Sequence, residues 1–136
     1  MKGKDLLQLI PQRYPFIMID EATDFEADSC TTYLAVRYDN YFVVGGNEMA
    51  ETGLIEHMAQ SASALAGYKA LGAESAPVGI IGEVKRFTCH RRPLVGERLR
   101  TTINFGFSFE NVTIARGTTS IGDEVVAEAQ LKIFIE

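Results

Sequence analysis

One carboxylate, Glu56, stands in a stretch otherwise dominated by small and apolar residues, Thr52-Gly53-Leu54-Ile55-Glu56-His57-Met58-Ala59-Gln60-Ser61-Ala62-Ser63-Ala64-Leu65-Ala66. A charge carried into apolar surroundings needs a partner or a task. The tasks open to a carboxyl group are proton transfer to or from a reacting atom and attack on a carbonyl. The bland alternative is a carboxylate that caps or pairs locally and holds the helix in place. Only His57 and His90 offer an imidazole to work opposite it. His57 follows Glu56 directly and is rotated from it by about 100° on an ideal helix, so the two do not face one cavity. His90 lies in Cys89-His90-Arg91-Arg92. Without a paired motif both read as ordinary surface or core histidines. Asn47, Glu48 and Glu51 are polar residues near the helix start, where acids favour the dipole whatever else they do.

The elements that must position Glu56 follow from periodicity. Leu54, Ile55, Met58, Ala59, Ala62, Leu65, Ala66 and Leu71 recur at helical spacing, and the small residues between them allow close approach from several sides. The spacing predicts a helix from about Ala50 to Leu71, stopped at Gly72, and wrapped by other elements. Before it come a short helix over Gly3 to Ile10 ended by Pro11, a short apolar strand over Phe16 to Asp20, a strand over Ser29 to Tyr38, and Asn40 to Met49 with Gly45-Gly46 in a loop. After Pro77 the chain reads as four long strands: Val78 to Cys89, Glu97 to Phe109, Asn111 to Ile121 and Glu124 to Ile135. In the last, Val125, Ala127, Ala129, Leu131, Ile133 and Ile135 fall on one face against Glu128, Gln130 and Lys132 on the other. Leu99, Thr101, Ile103, Phe105 and Phe107 repeat the device, and Glu110-Asn111 and Gly122-Asp123 are tight hairpin turns. An antiparallel sheet with one apolar face must cover the long helix.

Composition bounds the rest. A chain of 136 residues, 46% hydrophobic, suits one domain over 1–136 with a real core. No charged opening followed by an apolar run is present, and no stretch nears the roughly 18 apolar residues of a membrane span. A soluble, cytoplasmic protein is expected. Cys30 and Cys89 form no metal pattern and read as buried free thiols. No metal or cofactor is expected. The net charge of −5 argues against nucleic acid. The one basic cluster is local: Lys85, Arg86, Arg91, Arg92, Arg98 and Arg100.

Three segments carry a resemblance. With Glu56-His57-Met58-Ala59-Gln60 on the helix, Pro11-Gln12-Arg13-Tyr14-Pro15-Phe16 before the first strand, and Arg91-Arg92-Pro93-Leu94-Val95-Gly96-Glu97, the chain resembles the β-hydroxyacyl-acyl carrier protein dehydratases of the hot-dog superfamily over nearly its whole length. The resemblance implies an α+β hot-dog fold and a dimer joined through sheet edges. It also implies elimination of water from a 3-hydroxyacyl thioester, using a loop histidine and a helix acid from opposite subunits. The thioester carbonyl would be polarised by N–H groups at the helix start. Glu56 matches the acid. Counting back without gaps, Phe42 falls in the histidine position, and the family's Gly-His-Phe-Pro-Gly-x-Pro-x-x-Pro-Gly loop is here Val44-Gly45-Gly46-Asn47-Glu48-Met49-Ala50-Glu51-Thr52-Gly53, without the histidine and the prolines. No histidine lies between Met1 and Glu56.

A benzyl group cannot accept a proton, so a homodimer of this chain needs another base. The resemblance gives Phe42, Gly45, Gly46, Gly53 and Gln60 to substrate binding, and Arg86, Arg91 and Arg92 to an acidic acyl carrier protein. The alternative for these arginines is a solvated strand face. Arg13 reads as structural. His90 lies in a segment that, in the resembled fold, runs near the substrate tunnel. Three functions compete. The chain could be a dehydratase-like enzyme on carrier-bound thioesters, as a homodimer. It could be a half-catalytic or non-catalytic subunit that lends Glu56 to a related hot-dog partner in a heterodimer. It could be a thioesterase in which Glu56 activates water or attacks directly.

Overall fold

Residues Glu51–Lys69 form the long helix α2, shorter at each end than its spacing predicts and closed at Ala70 by backbone bonds to Ala66, Gly67 and Tyr68. The computed structural model describes residues 1–71 and 79–135, with side chains from 82 to 134 in the second stretch. The predicted stop at Gly72 and the segment through Val78 lie outside those residues. From Gln60 to Gly67 every α2 residue is buried, which requires cover on more than one side.

The sheet gives the first cover. Its strands are β1 (Glu21–Thr23), β2 (Ser29–Ala35), β5 (Gly79–Cys89), β6 (Arg98–Phe109), β7 (Val112–Ile121) and β8 (Glu124–Ile135), in the order β1-β2-β6-β7-β8-β5 and antiparallel throughout. Leu54, Met58 and Leu65 of α2 share one core with Leu34, Leu99, Ile103, Ala115, Leu131 and Ile133 from its inner face. A two-strand ribbon, β3 (Val43–Val44) with β4 (Glu48–Met49), sits at the start of α2. The hot-dog architecture implied by the resemblance is therefore present.

The N-terminal segment gives the second cover. Helix α1 (Gly3–Leu7) and the residues after it bring Leu6, Leu9, Ile10 and Ile19 onto Ala64. A methyl group on Gly67 would lie 2.2 Å from the Leu9 carbonyl oxygen, so the backbones meet where α2 has no side chain. Arg13 donates to the carbonyls of Leu7, Ile10 and Gln12 and fixes the turn out of α1. No helix among the described residues is long and apolar enough to cross a membrane.

Three expected features differ. Phe16 to Asp20 is not a strand, because its backbone groups bond to α2 side chains; only Asp20 N–H reaches β2, at the Tyr33 carbonyl (2.7 Å). Phe107 does not continue the inner face of β6. Phe105 pairs with Ala115 and Ser108 with Thr113, so an extra residue turns Phe107 outward, where it is 73% exposed. In β8 a second irregularity pairs Thr119 with Ala127 and Ser120 with Val125, burying Val126 and leaving Val125 outside.

Candidate active site

Glu56 lies half-buried in the second turn of α2. Four residues on, one helical turn away, Gln60 donates through Nε2 to Glu56 Oε1 (2.9 Å) and to the Phe16 carbonyl (2.7 Å). The Gln60 side-chain oxygen Oε1 accepts the Met18 N–H at 2.6 Å. Gln60 is fully buried with each of these polar atoms engaged. Within one chain it holds one oxygen of Glu56 and ties the 16–18 segment to the helix, and the substrate contact expected of it is not among these bonds. The other Glu56 oxygen, Oε2, makes no hydrogen bond among the described residues.

His57 bonds Met18 and β6 instead. Its Nδ1 lies 2.7 Å from the Met18 carbonyl and its Nε2 2.7 Å from Thr101 Oγ1, which itself bonds Thr119 Oγ1 at 2.6 Å. The carbonyl can only accept, so Nδ1 carries the proton and Nε2 accepts from the threonine. Burial pushes the imidazole down to about 4, against smaller upward pulls from the Met18 carbonyl and Asp20. It is a neutral core group. His90 is exposed, with Nε2 3.4 Å from Glu128. Among the described residues neither imidazole bonds Glu56.

Phe42, in the position expected for a histidine, precedes β3 and packs partly into the core. Its N–H donates to Asn40 Oδ1 (2.8 Å) and its carbonyl accepts from Ala50, the residue before α2 (2.8 Å). Gly53 explains how it fits: a Cβ there would stand 2.6 Å from Phe42 Cβ and 2.8 Å from Met49 Cγ. Phe16, Tyr41 and Phe42 form an edge-to-face row with centroids 5.1 and 5.2 Å apart, joining this loop to the segment that Gln60 holds. Gly45 and Gly46 turn the β3–β4 ribbon at φ +61° and +78°, open to solvent. Ala50 places no side-chain cap on α2; of the first-turn donors, Gly53 N–H reaches the Ala50 carbonyl at 2.9 Å.

The basic residues divide. Arg91 grips Glu97 with two nitrogens at 2.8 Å each and Glu124 through Nε, which holds the Glu97 carboxyl below the usual range and raises Arg91 itself. Glu97 also accepts the Leu94 N–H, fixing the turn before β6. Arg92 reaches Glu48 at 3.0 Å and Glu51 at 3.9 Å. Both arginines thus tie the 91–97 loop to neighbouring carboxylates. Arg86 differs: it is exposed on the edge strand β5, at φ +53° within an irregular pairing between Lys85 and Thr88. Burial raises the Cys30 thiol to about 12 and also raises Cys89, where Glu51 adds to the effect.

The sequence did not disclose the segment from Phe16 to Met18, whose backbone couples Glu56, Gln60 and His57. Its only signal was an amide one turn after the acid.

A family model described as ApeP-like, ApeP dehydratase, matches residues 4–136. The 3-hydroxyacyl-[acyl-carrier-protein] dehydratase FabZ of Aliivibrio fischeri is 30% identical over 145 residues, covering 94% of this chain and 89% of that protein. The uncharacterized protein YcsD of Bacillus subtilis is 28% identical over 129 residues, covering 93% and 95%. Among solved structures, the dehydratase heterocomplex ApeI:P from Xenorhabdus doucetiae superposes with a TM-score of 0.86 at 16% identity, covering 96% of this chain and 90% of that one.

Proposed function

Since the chain belongs to the ApeP-like dehydratase family of the hot-dog superfamily, we propose that it is the acid-bearing half of a shared dehydratase site, lending Glu56 to a related subunit that carries the histidine. The substrate is a 3-hydroxyacyl thioester on an acyl carrier protein, and the pair works in the cytoplasm. One observation carries this reading: Glu56 is held by Gln60 with Oε2 making no hydrogen bond among the described residues, and both imidazoles bond other groups, while Phe42 stands where the resemblance expects the base. The FabZ relative's name supplies the substrate class. The solved ApeI:P assembly is a heterocomplex of dehydratases, the kind of assembly a site split between chains requires.

In the proposed reaction the partner's imidazole takes the proton from C2 of the acyl group. The thioester carbonyl, held at the start of α2, accumulates negative charge that the helix N–H groups stabilise. Glu56 then gives its proton to the hydroxyl on C3, the C3–O bond breaks, and the C2–C3 double bond forms with release of water. Gly45 and Gly46 leave the turn beside the helix start free of side chains, while Gly53 lets Phe42 and Met49 close on the helix there. Arg86 is the carrier contact we favour, since Arg91 and Arg92 are already paired.

The test is activity of the chain alone and mixed with a histidine-bearing homologue. Alone it should dehydrate a 3-hydroxyacyl carrier-protein substrate poorly; mixed, it should support turnover that Glu56→Gln lowers by roughly 10²–10⁴-fold, the scale of a lost general acid. A mixed complex indifferent to Glu56→Ala would sink the shared site. Release of free carrier thiol by the chain alone, dependent on Glu56, would transfer the assignment to thioester hydrolysis.

A further inference from the structure

The β6–β7 hairpin ends in two phenylalanines that the core does not use. Phe107 and Phe109 are 73% and 64% exposed. Ser108 between them points inward, its hydroxyl 3.0 Å from that of the buried Thr113, so both rings point to the outer face of the sheet. There Phe109 pairs with Val112, Val112 with Phe134, and Ile114 with Lys132. The Phe134 ring covers Gly82 of β5, where a Cβ would come within 2.1 Å of it. Phe107, Phe109, Val112, Ile114 and Phe134 therefore form one apolar corner. It lies beyond the far end of α2 from Glu56, since Lys69, the last residue of that helix, stands over the Phe105 ring at 5.6 Å.

A bulge that turns an aromatic residue out of a core needs a gain elsewhere. At about 150–250 Å² per aromatic side chain, the corner offers a few hundred Å² of apolar surface, the size that on a monomer marks a contact site. Its charges are segregated. Glu110 stands at the hairpin tip, while Lys132 and Arg116 stand in the rows behind the apolar residues, Lys132 with its ammonium 5.9 Å from the Phe134 ring. A two-fold contact needs a surface that complements itself. An apolar centre with an acid at one end and cations at the other meets that need.

We propose that this corner joins two copies of the chain, apolar patch against apolar patch about a two-fold axis, with Glu110 of each meeting Lys132 and Arg116 of the other. The area falls below the roughly 800 Å² per partner of a free-standing interface. The contact therefore links units already held together elsewhere, and it stands independently of the function proposed above. Light scattering on the full chain tests it. Wild type should have at least twice the mass of Phe107→Ser/Phe109→Ser, whose circular dichroism should match wild type because both side chains are exposed. Glu110→Lys and Lys132→Glu should each lower the mass, and the two combined should restore it. Equal masses for wild type and the double serine variant overturn the proposal. Single charge swaps that leave the mass unchanged, or a combined swap no heavier than either single, overturn the two-fold pairing and point to a different partner.

Discussion

His57 and Gln60 grip the two sides of one peptide unit's neighbourhood, the Met18 carbonyl and the Met18 N–H, and so decide how firmly the 16–18 segment lies on the helix that carries Glu56. The imidazole is neutral when folded because water is excluded from it, and this makes stability depend on pH. Its folded value is about 4 against 6.5 unfolded, so between these limits the unfolded chain binds the extra proton. The contribution is intact above 6.5, falls as pH drops through that window, and is lost below about 4. The full swing is about 3 kcal/mol by linkage. Urea unfolding across the window should show wild type losing stability relative to His57→Gln, which cannot titrate. Parallel pH profiles for the two proteins would show that the imidazole is not the group that titrates.

Helix α2 is held between sheet and N-terminal segment, and the second contact depends on a missing side chain. At Gly67 an added methyl would stand 2.2 Å from the Leu9 carbonyl oxygen and 2.8 Å from Leu9 Cα, both backbone atoms that cannot rotate away. Gly67→Ala should therefore lift residues 6–10 from α2 and cost about 1–3 kcal/mol, the usual penalty of overpacking, despite alanine's better helix propensity. A lowered melting temperature with faster amide exchange at Leu9 and Ile10 would register it; an unchanged melting temperature would mean that the segment yields freely. Periodicity made α2 and the four late strands legible because long runs of one face repeat one rule. It misplaced Phe107 and Val125 because a single extra residue reverses the alternation from that point and leaves no mark in composition. It took Phe16 to Asp20 for a strand because apolar residues whose backbone bonds to helix side chains look the same as residues bonded to a ladder. Glu56, Gln60 and Phe42 were legible as positions in a motif. That Gln60 holds the acid needed the coordinates, since only they show where an amide's bonds go.

The two edges of the sheet differ in a way that bears on assembly. On one side β1 has three residues and is closed off by Lys2, which bridges to Glu21 and pairs with it at 3.2 Å. On the other, β5 has eleven, with its outward N–H and C=O groups left without a strand among the described residues. A long unpaired edge invites another chain. Two irregularities interrupt its pairing with β8, after Ile81 and after Lys85, and Glu83, Lys85 and Arg86 are exposed along it, so only a strand matched to those interruptions and charges pairs along its length. If a histidine-bearing hot-dog subunit docks there, hydrogen exchange should slow along 83–89 when the two are mixed, while exchange at 21–23 stays as it was. Protection appearing at β1, or nowhere on β5, would place the partner on another surface and remove the physical route by which Glu56 and a second chain's histidine come to share one cavity.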